Sequence, residues 1–334
     1  MSSSFLEAAA ARVPTAGRGA GLIDSPTFWT VEAGAPLLRR NAGFLTAEGP
    51  PHGWRERLDR WPELLSASTP APAPSERCDD EAALRIFLRD AERTFQHASH
   101  RERMIGALKR LWPEEKDYHQ GLGYVCSLLL LFFDEETACA MLLRLARDPA
   151  YTPGYWRAAP EPYVRDAMVF ARLVERRFPE VAALLQAACV VPEAYASKWY
   201  IGLCVHVLPF EALLPFVEGF FRDGYPFLFR FSLALVAAVS PRLLVLKPTD
   251  VNLILEIMRL DVCQYPDDYE GGQFFTRLVA DAASVDLEKA EIDSLREEEA
   301  VKLAEKMRKV KEREAQLAAE ASDDEIVFSD EEID

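Results

Sequence analysis

The chain has 334 residues, 49% of them apolar, enough for one large core or two ordinary ones, and one main domain with tails is the expectation. Its formal net charge of −16 argues against sequence-independent nucleic-acid binding, which needs clustered Lys and Arg to displace counterions from phosphates. Eight of the negative charges fall between Glu320 and Asp334, so the body itself is only moderately acidic.

Residues 1–48 are rich in Ala, Gly and Ser without a long period and read as an N-terminal extension. Glu7 precedes any basic residue and no sustained apolar stretch follows, so a secretory leader is not expected. The stretch Ser66–Asp80 combines Pro with small polar residues and reads as an exposed loop, because proline removes backbone donors and blocks helix.

From Glu81 to Ala282 apolar residues recur at three- and four-residue steps, which predicts an all-α domain of about eight to a dozen helices, with breaks near Pro149, Pro160, Pro179, Pro209 and Gly224. Val164, Met168, Ala171, Leu173 and Val174 make one such face, and Val251–Leu260 carries another. The longest apolar runs, Leu128–Phe133 and Leu233–Val239, fall short of a bilayer span, so no transmembrane helix is expected. Cys78, Cys126, Cys139, Cys189, Cys204 and Cys263 are scattered through apolar contexts, which fits reduced thiols and a cytoplasmic chain.

Residues 283–319 read as a charged helical segment, with Glu298 and Lys302, and Glu305 and Lys309, spaced for i,i+4 support. Its stripe of Leu303, Met307, Val310 and Leu317 is too thin for clean heptads, which favours a solvated single helix over a coiled coil. Residues 320–334 form a disordered acidic tail by composition, in which Ser322 and Ser329, each followed by acidic residues, resemble sites of acidophilic kinases.

The chain contains no GxxxxGK[ST], GxSxG or HExxH motif. His97 and His100 lie one turn apart but have no companion ligand pair, so no metal site is expected. Chemistry, if there is any, draws on atoms of another molecule.

Two segments carry specific polar residues in apolar helical surroundings: Ile86 to Thr94, IFLRDAERT, and Tyr118 to Tyr124, YHQGLGY. On one turn of helix Asp90 sits beside Arg93 and restrains its guanidinium. Gly121 and Gly123 allow close backbone approach next to the Gln120 carboxamide, a group that both donates and accepts hydrogen bonds and suits the positioning of a water.

Ile86, Asp90, Arg93 and Thr94 match the IxxDxxRT motif of the TBC-domain Rab GTPase-activating proteins, and Tyr118, Gln120 and Gly121 match their YxQG motif, in the family's order. Gly49, Pro51, Trp54 and Arg55 resemble the family's N-terminal GxPxxLR segment, with Asp59 where a Trp is usual and Trp61 two residues on. Ala196–Tyr200, Leu208–Pro209, Phe220–Gly224 and Leu228–Arg230 are similar to its second half, so the likeness covers residues 49–282.

The resemblance implies an all-α TBC-type fold and a dual-finger mechanism. Arg93 and Gln120 would be the catalytic residues, supplied in trans to a GTP-bound Rab that carries its own nucleotide and Mg²⁺. Asp90 would orient Arg93, Ile86 would anchor the arginine segment in the core, and Tyr118 and Gly121 would shape the glutamine loop beside Thr94 and the rest of the motif. The chain then has no cofactor of its own, activates its partner's GTP hydrolysis, and serves vesicle trafficking from the cytoplasm, reaching endomembranes through its partners rather than by insertion. A non-catalytic Rab-binding effector or scaffold of the same fold is the alternative, and an unrelated helical scaffold a third reading.

Overall fold

A computed structural model describes residues 20–65, 78, 80–115, 117–269 and 272–323. Among the described residues there are sixteen α-helices and no strand, the one β-type contact being an isolated bridge between Thr46 and Gly49. In chain order they are α1 Pro26–Val31, α2 Trp54–Asp59, α3 Trp61–Leu64, α4 Glu81–Thr94, α5 Ala98–Glu115, α6 Gln120–Phe132, α7 Glu135–Arg147 and α8 Glu161–Arg177. There follow α9 Pro179–Ala187, α10 Glu193–Tyr200, α11 Phe210–Asp223, α12 Tyr225–Leu243, α13 Val251–Met258, α14 Pro266–Tyr269, α15 Phe274–Ala282 and α16 Lys289–Asp323. Most of Ser66–Asp80 and the tail from residue 324, Ser329 included, lie outside the described residues.

Several helices start where their sequence supplies a cap. Asp80 accepts from the backbone N–H of Ala82 and Ala83 to open α4, and Asp134 accepts from Thr137 to open α7. α7 also carries Glu135 and Glu136 in its first turn and Arg144 and Arg147 in its last, each sign matched to the helix dipole.

α12 is the central helix, packed against α8, α11, α13 and α15. With 19 residues and a mean hydropathy of 1.3 it is long and apolar enough to cross a membrane, which the shorter runs considered in the sequence are not. Most of it is instead buried inside the fold, where Phe227, Phe229, Phe231 and Leu235 fill the core. At the other end Trp61 meets Phe132 and Phe221 edge-on, which docks the α2–α3 segment on α6 and α11.

Residues 20–48 are not an extension. Leu22, Ile23, Phe28, Leu37, Leu38 and Leu45 all belong to the core, each burial stabilising by roughly 1.5–3 kcal/mol. Short helical turns separated by Gly and Pro hide this in the sequence, because no segment is long enough to show a period. Glu32 is fully buried there and accepts from the backbone N–H of Gln96 and His97, both at 2.8 Å, and bonds Nδ1 of His100 at 2.8 Å. It thereby caps α5 from a distance of more than 60 residues and fixes the turn that follows α4.

The charged C-terminal helix is only half solvated. Ile292, Leu295 and Glu299 of α16 are buried against α8, and Arg296 donates from Nε to Asp166 at 3.0 Å. Asp166 also accepts from Tyr155 and Arg165, so a fully buried carboxylate is paired on every side. Of the expected face of α8, Leu173 and Val174 are buried, whereas Val164, Met168 and Ala171 are half-buried and the inner face is completed by Tyr163, Asp166, Ala167, Val169 and Phe170. An apolar rule cannot place a charged residue inside, and Asp166 goes inside because Arg296 meets it.

Candidate functional site

The α4 helix turns one face inward through Ala83, Phe87, Asp90, Ala91 and Thr94. Arg93 lies off that face with 68% of its side chain exposed, and its Nη1 stands 3.7 Å from Oδ1 of Asp90, whose own side chain is 7% exposed. Thr94 is buried and donates to the Asp90 carbonyl at 2.7 Å, after which Phe95 turns extended and ends the helix.

Asp90 is held from a second side. The Tyr118 hydroxyl donates to its Oδ2 at 2.8 Å. Burial raises the Asp90 carboxyl above its ordinary value, opposed by the Tyr118 hydrogen bond, Arg93 and His119. Burial and the Asp90 carboxylate together push the Tyr118 phenol far up, so it keeps its proton and remains the donor.

Gln120 is the first residue of α6, half-buried, and its carboxamide has no hydrogen-bond partner among the described residues. His119 caps this helix, with Nδ1 accepting from the Gly121 N–H at 3.1 Å. That bond requires Nδ1 to be unprotonated, and burial lowers the His119 value accordingly, against the pull of Asp117 and Asp90.

Two glycines set the spacing here. A Cβ on Gly121 would lie 2.4 Å from Cγ2 of Ile201 and 2.8 Å from its carbonyl oxygen. One on Gly123 would lie 2.5 Å from the Tyr118 hydroxyl, so the phenol reaches Asp90 only across a bare backbone.

Of the residues singled out in the sequence, Asp90, Arg93, Thr94 and Tyr118 come together around one carboxylate, and Gln120 and Gly121 open the adjoining helix. Ile86 does not anchor the segment. It is 44% exposed, and the anchor is its neighbour Phe87, which is buried edge-on against Trp112 and Tyr118. The face repeats through positions 83, 87, 90 and 94, and Ile86 falls beside it.

Three neighbours escaped the sequence reading. Tyr124 lies one turn into α6, its phenol raised by burial and by Asp90 and lowered by Arg93, which places it in the same field. His206 meets the Tyr124 ring edge-on at 4.0 Å. Glu32 braces Gln96 and His97 just beyond Arg93. Tyr124 had a signal, one helical turn after Gln120; the other two are distant in sequence and had none.

The arrangement offers a tethered guanidinium at the surface beside a carboxamide at a helix N-terminus. Both suit an oxyanion and a water brought by another molecule.

A profile described as the Rab-GTPase-TBC domain matches residues 75–244. Carabin of Mus musculus is 33% identical over 126 residues, covering 38% of this chain and 28% of that protein. Growth hormone-regulated TBC protein 1 of Xenopus laevis is 28% identical over 195 residues, covering 56% of this chain and 53% of that protein. The chain thus spans about half or less of the length of these curated relatives. The solved TBC domain of a Chlamydomonas flagellar RabGAP is similar with a TM-score of 0.49 at 19% identity, covering 78% of this chain and 81% of that one.

Proposed function

The chain belongs to the Rab-GTPase-TBC domain family, and from that premise we propose that it accelerates GTP hydrolysis by a Rab-type GTPase with Arg93 and Gln120 as its two fingers. Hydrolysis of GTP builds negative charge on the bridging and γ-phosphoryl oxygens as water attacks. A guanidinium arriving from outside stabilises that charge more in the transition state than in the ground state. Arg93 supplies it, and Gln120 accepts from and orients the attacking water. Asp90 keeps the guanidinium aimed, and Tyr118 fixes Asp90. GTP and Mg²⁺ arrive with the partner, and the chain adds no cofactor. In the cell this would switch off a Rab in vesicle traffic, from the cytoplasmic side of an endomembrane.

The observation that carries the reading is the position of Arg93: 68% exposed, yet tied to a nearly buried carboxylate that Tyr118, just ahead of α6, also grips. An ordinary surface arginine has no such mount, and an ion pair with one exposed partner contributes little to stability.

The test is single-turnover GTP hydrolysis by a panel of Rab proteins, with wild type, Arg93→Ala and Gln120→Ala. An arginine finger is worth roughly 10³–10⁵ in rate, about 4–7 kcal/mol of barrier, so the arginine variant should lose nearly all acceleration. Acceleration untouched by both changes overturns the mechanism. Binding of a GTP-loaded Rab without acceleration by the wild type moves the chain to the effector reading.

A further inference from the structure

Beyond Glu299 the helix α16 leaves the body gradually: Leu303 and Met307 are still half-buried, and residues 308–317 are all exposed. Where it departs, Ala304, Met307 and Arg308 line an open groove beside Glu161, and Val310 and Leu317 are then 49% and 55% exposed. With about 100° of turn per residue, Leu303, Met307, Val310 and Leu317 share one side of the helix. That side continues the direction of Ile292 and Glu299, so the face that docks on α8 is carried past the domain's edge, half-covered at Leu303 and Met307 and exposed at Val310 and Leu317.

The charges are ordered around this stripe. Lys302, Lys306, Lys309 and Arg313 follow one border, and Lys311 and Arg308 the other. Glu305 and Glu312 lie on the opposite side, and Glu314 is the one acid within the stripe. Lys302, Arg308 and Lys309 are paired with Glu299, Glu312 and Glu305. Lys306, Lys311 and Arg313 have no carboxylate partner among the described residues. Residues 300–317 therefore hold six basic side chains against three acidic ones in a chain of net charge −16.

We propose that residues 300–317 form a peripheral contact for an anionic lipid surface. Basic residues on both borders of an apolar stripe suit a helix lying in the plane of the headgroups: the stripe enters the acyl boundary, and the Lys and Arg stems reach back to the phosphates. A second copy of the chain fits worse. Placed in a heptad with Leu303, Val310 and Leu317 at one core position, the helix puts Lys306, Lys311 and Arg313 at its flanks, where a symmetric partner presents the same sign, and Glu314 in the seam. The contact is independent of the finger chemistry.

The test is co-sedimentation of the full chain with phosphatidylcholine vesicles, with and without phosphatidylserine. Wild type should bind the anionic vesicles and release at high salt. The triple variant Lys306→Glu, Lys311→Glu, Arg313→Glu should weaken binding by on the order of a hundredfold, given about a fivefold loss per basic residue near such a surface, and the pair Val310→Asp, Leu317→Asp should weaken it strongly by taking the apolar contact away. Both variants should keep the wild-type melting temperature and, in solution, its GTPase acceleration. No binding to phosphatidylserine vesicles overturns the proposal. So does binding that survives both variants, or sedimentation equilibrium showing a dimer that the Val310→Asp, Leu317→Asp pair dissolves. Capture on an acidic helical peptide with no vesicle binding also overturns it, in favour of a protein partner.

Discussion

The Tyr118 hydroxyl donates to Oδ2 of Asp90 across 28 residues of sequence, joining the helix that bears Arg93 to the residue two places ahead of Gln120. One proton therefore sets the two proposed fingers relative to each other. Tyr118→Phe keeps the ring between Phe87 and Gly123 and removes only that proton. It should lower stability by about 1–3 kcal/mol, since Asp90 is left with an unmet acceptor. Acceleration of GTP hydrolysis should fall by roughly tenfold to a hundredfold, the scale of a misplaced catalytic group. Thermal melting and single-turnover assays read the two effects separately, and full acceleration in Tyr118→Phe would show that the link does not matter.

Gly121→Ala and Gly123→Ala should fail differently. The first drives a methyl group into Ile201, including its backbone oxygen, so the loss should be one of folding, with a melting temperature well below wild type. The second meets the end of the Tyr118 side chain, which can swing aside, so the protein should fold and lose acceleration much as Tyr118→Phe does. Circular dichroism with the hydrolysis assay distinguishes them.

Glu32 gives a sharp limit on where the domain begins. Glu32→Ala strips the caps from Gln96 and His97 and the partner from His100, and should cost more than about 3 kcal/mol. A version starting at residue 49 loses that carboxylate together with Phe28, Leu37 and Leu45, and should not melt cooperatively, whereas one starting at residue 20 keeps them and should melt cooperatively. A cooperative wild-type melt for residues 49–334 would place the boundary where composition alone suggests it.

Stability should also fall on mild acidification. Burial, and secondarily Arg40, pushes His206 down to about 4 from an ordinary 6.5. The unfolded chain then takes up the proton first as pH falls, so the stabilisation is complete above the unfolded value and drains away down to the folded one. At about pH 5 the loss should be about 2 kcal/mol from this ring. Burial moves His119 the same way. Chemical denaturation between neutral pH and about pH 5 should show a shallower dependence in His206→Phe than in wild type, and equal slopes would exclude the ring as a source.

The helical class and the polar centre were legible because both are local. A three- to four-residue apolar period needs only its own segment, and the Asp90–Arg93 and Tyr118–Gly121 groups each span a turn or so. Ile86 shows the limit even there: an apolar residue inside a motif reads as an anchor, although the register through Phe87 decides which side faces in. Glu32 and Asp166 were invisible for a different reason. Each is a charged residue buried by partners far along the chain, and no local pattern carries that information. The same blindness put residues 20–48 and the start of α16 outside the domain.

The pairing of Asp166 with Arg296 has a consequence for biosynthesis. The two residues stand 130 positions apart, so a nascent chain that has already emerged through α8 carries Arg165 beside the carboxylate but not yet Arg296. Until it arrives, closing the core would bury a carboxylate held by Tyr155 and Arg165 but lacking its second guanidinium, which weakens the closed state. Full consolidation of the domain should therefore wait for α16, and translation products truncated before Arg296 should be less stable and more open to proteolysis than the full chain.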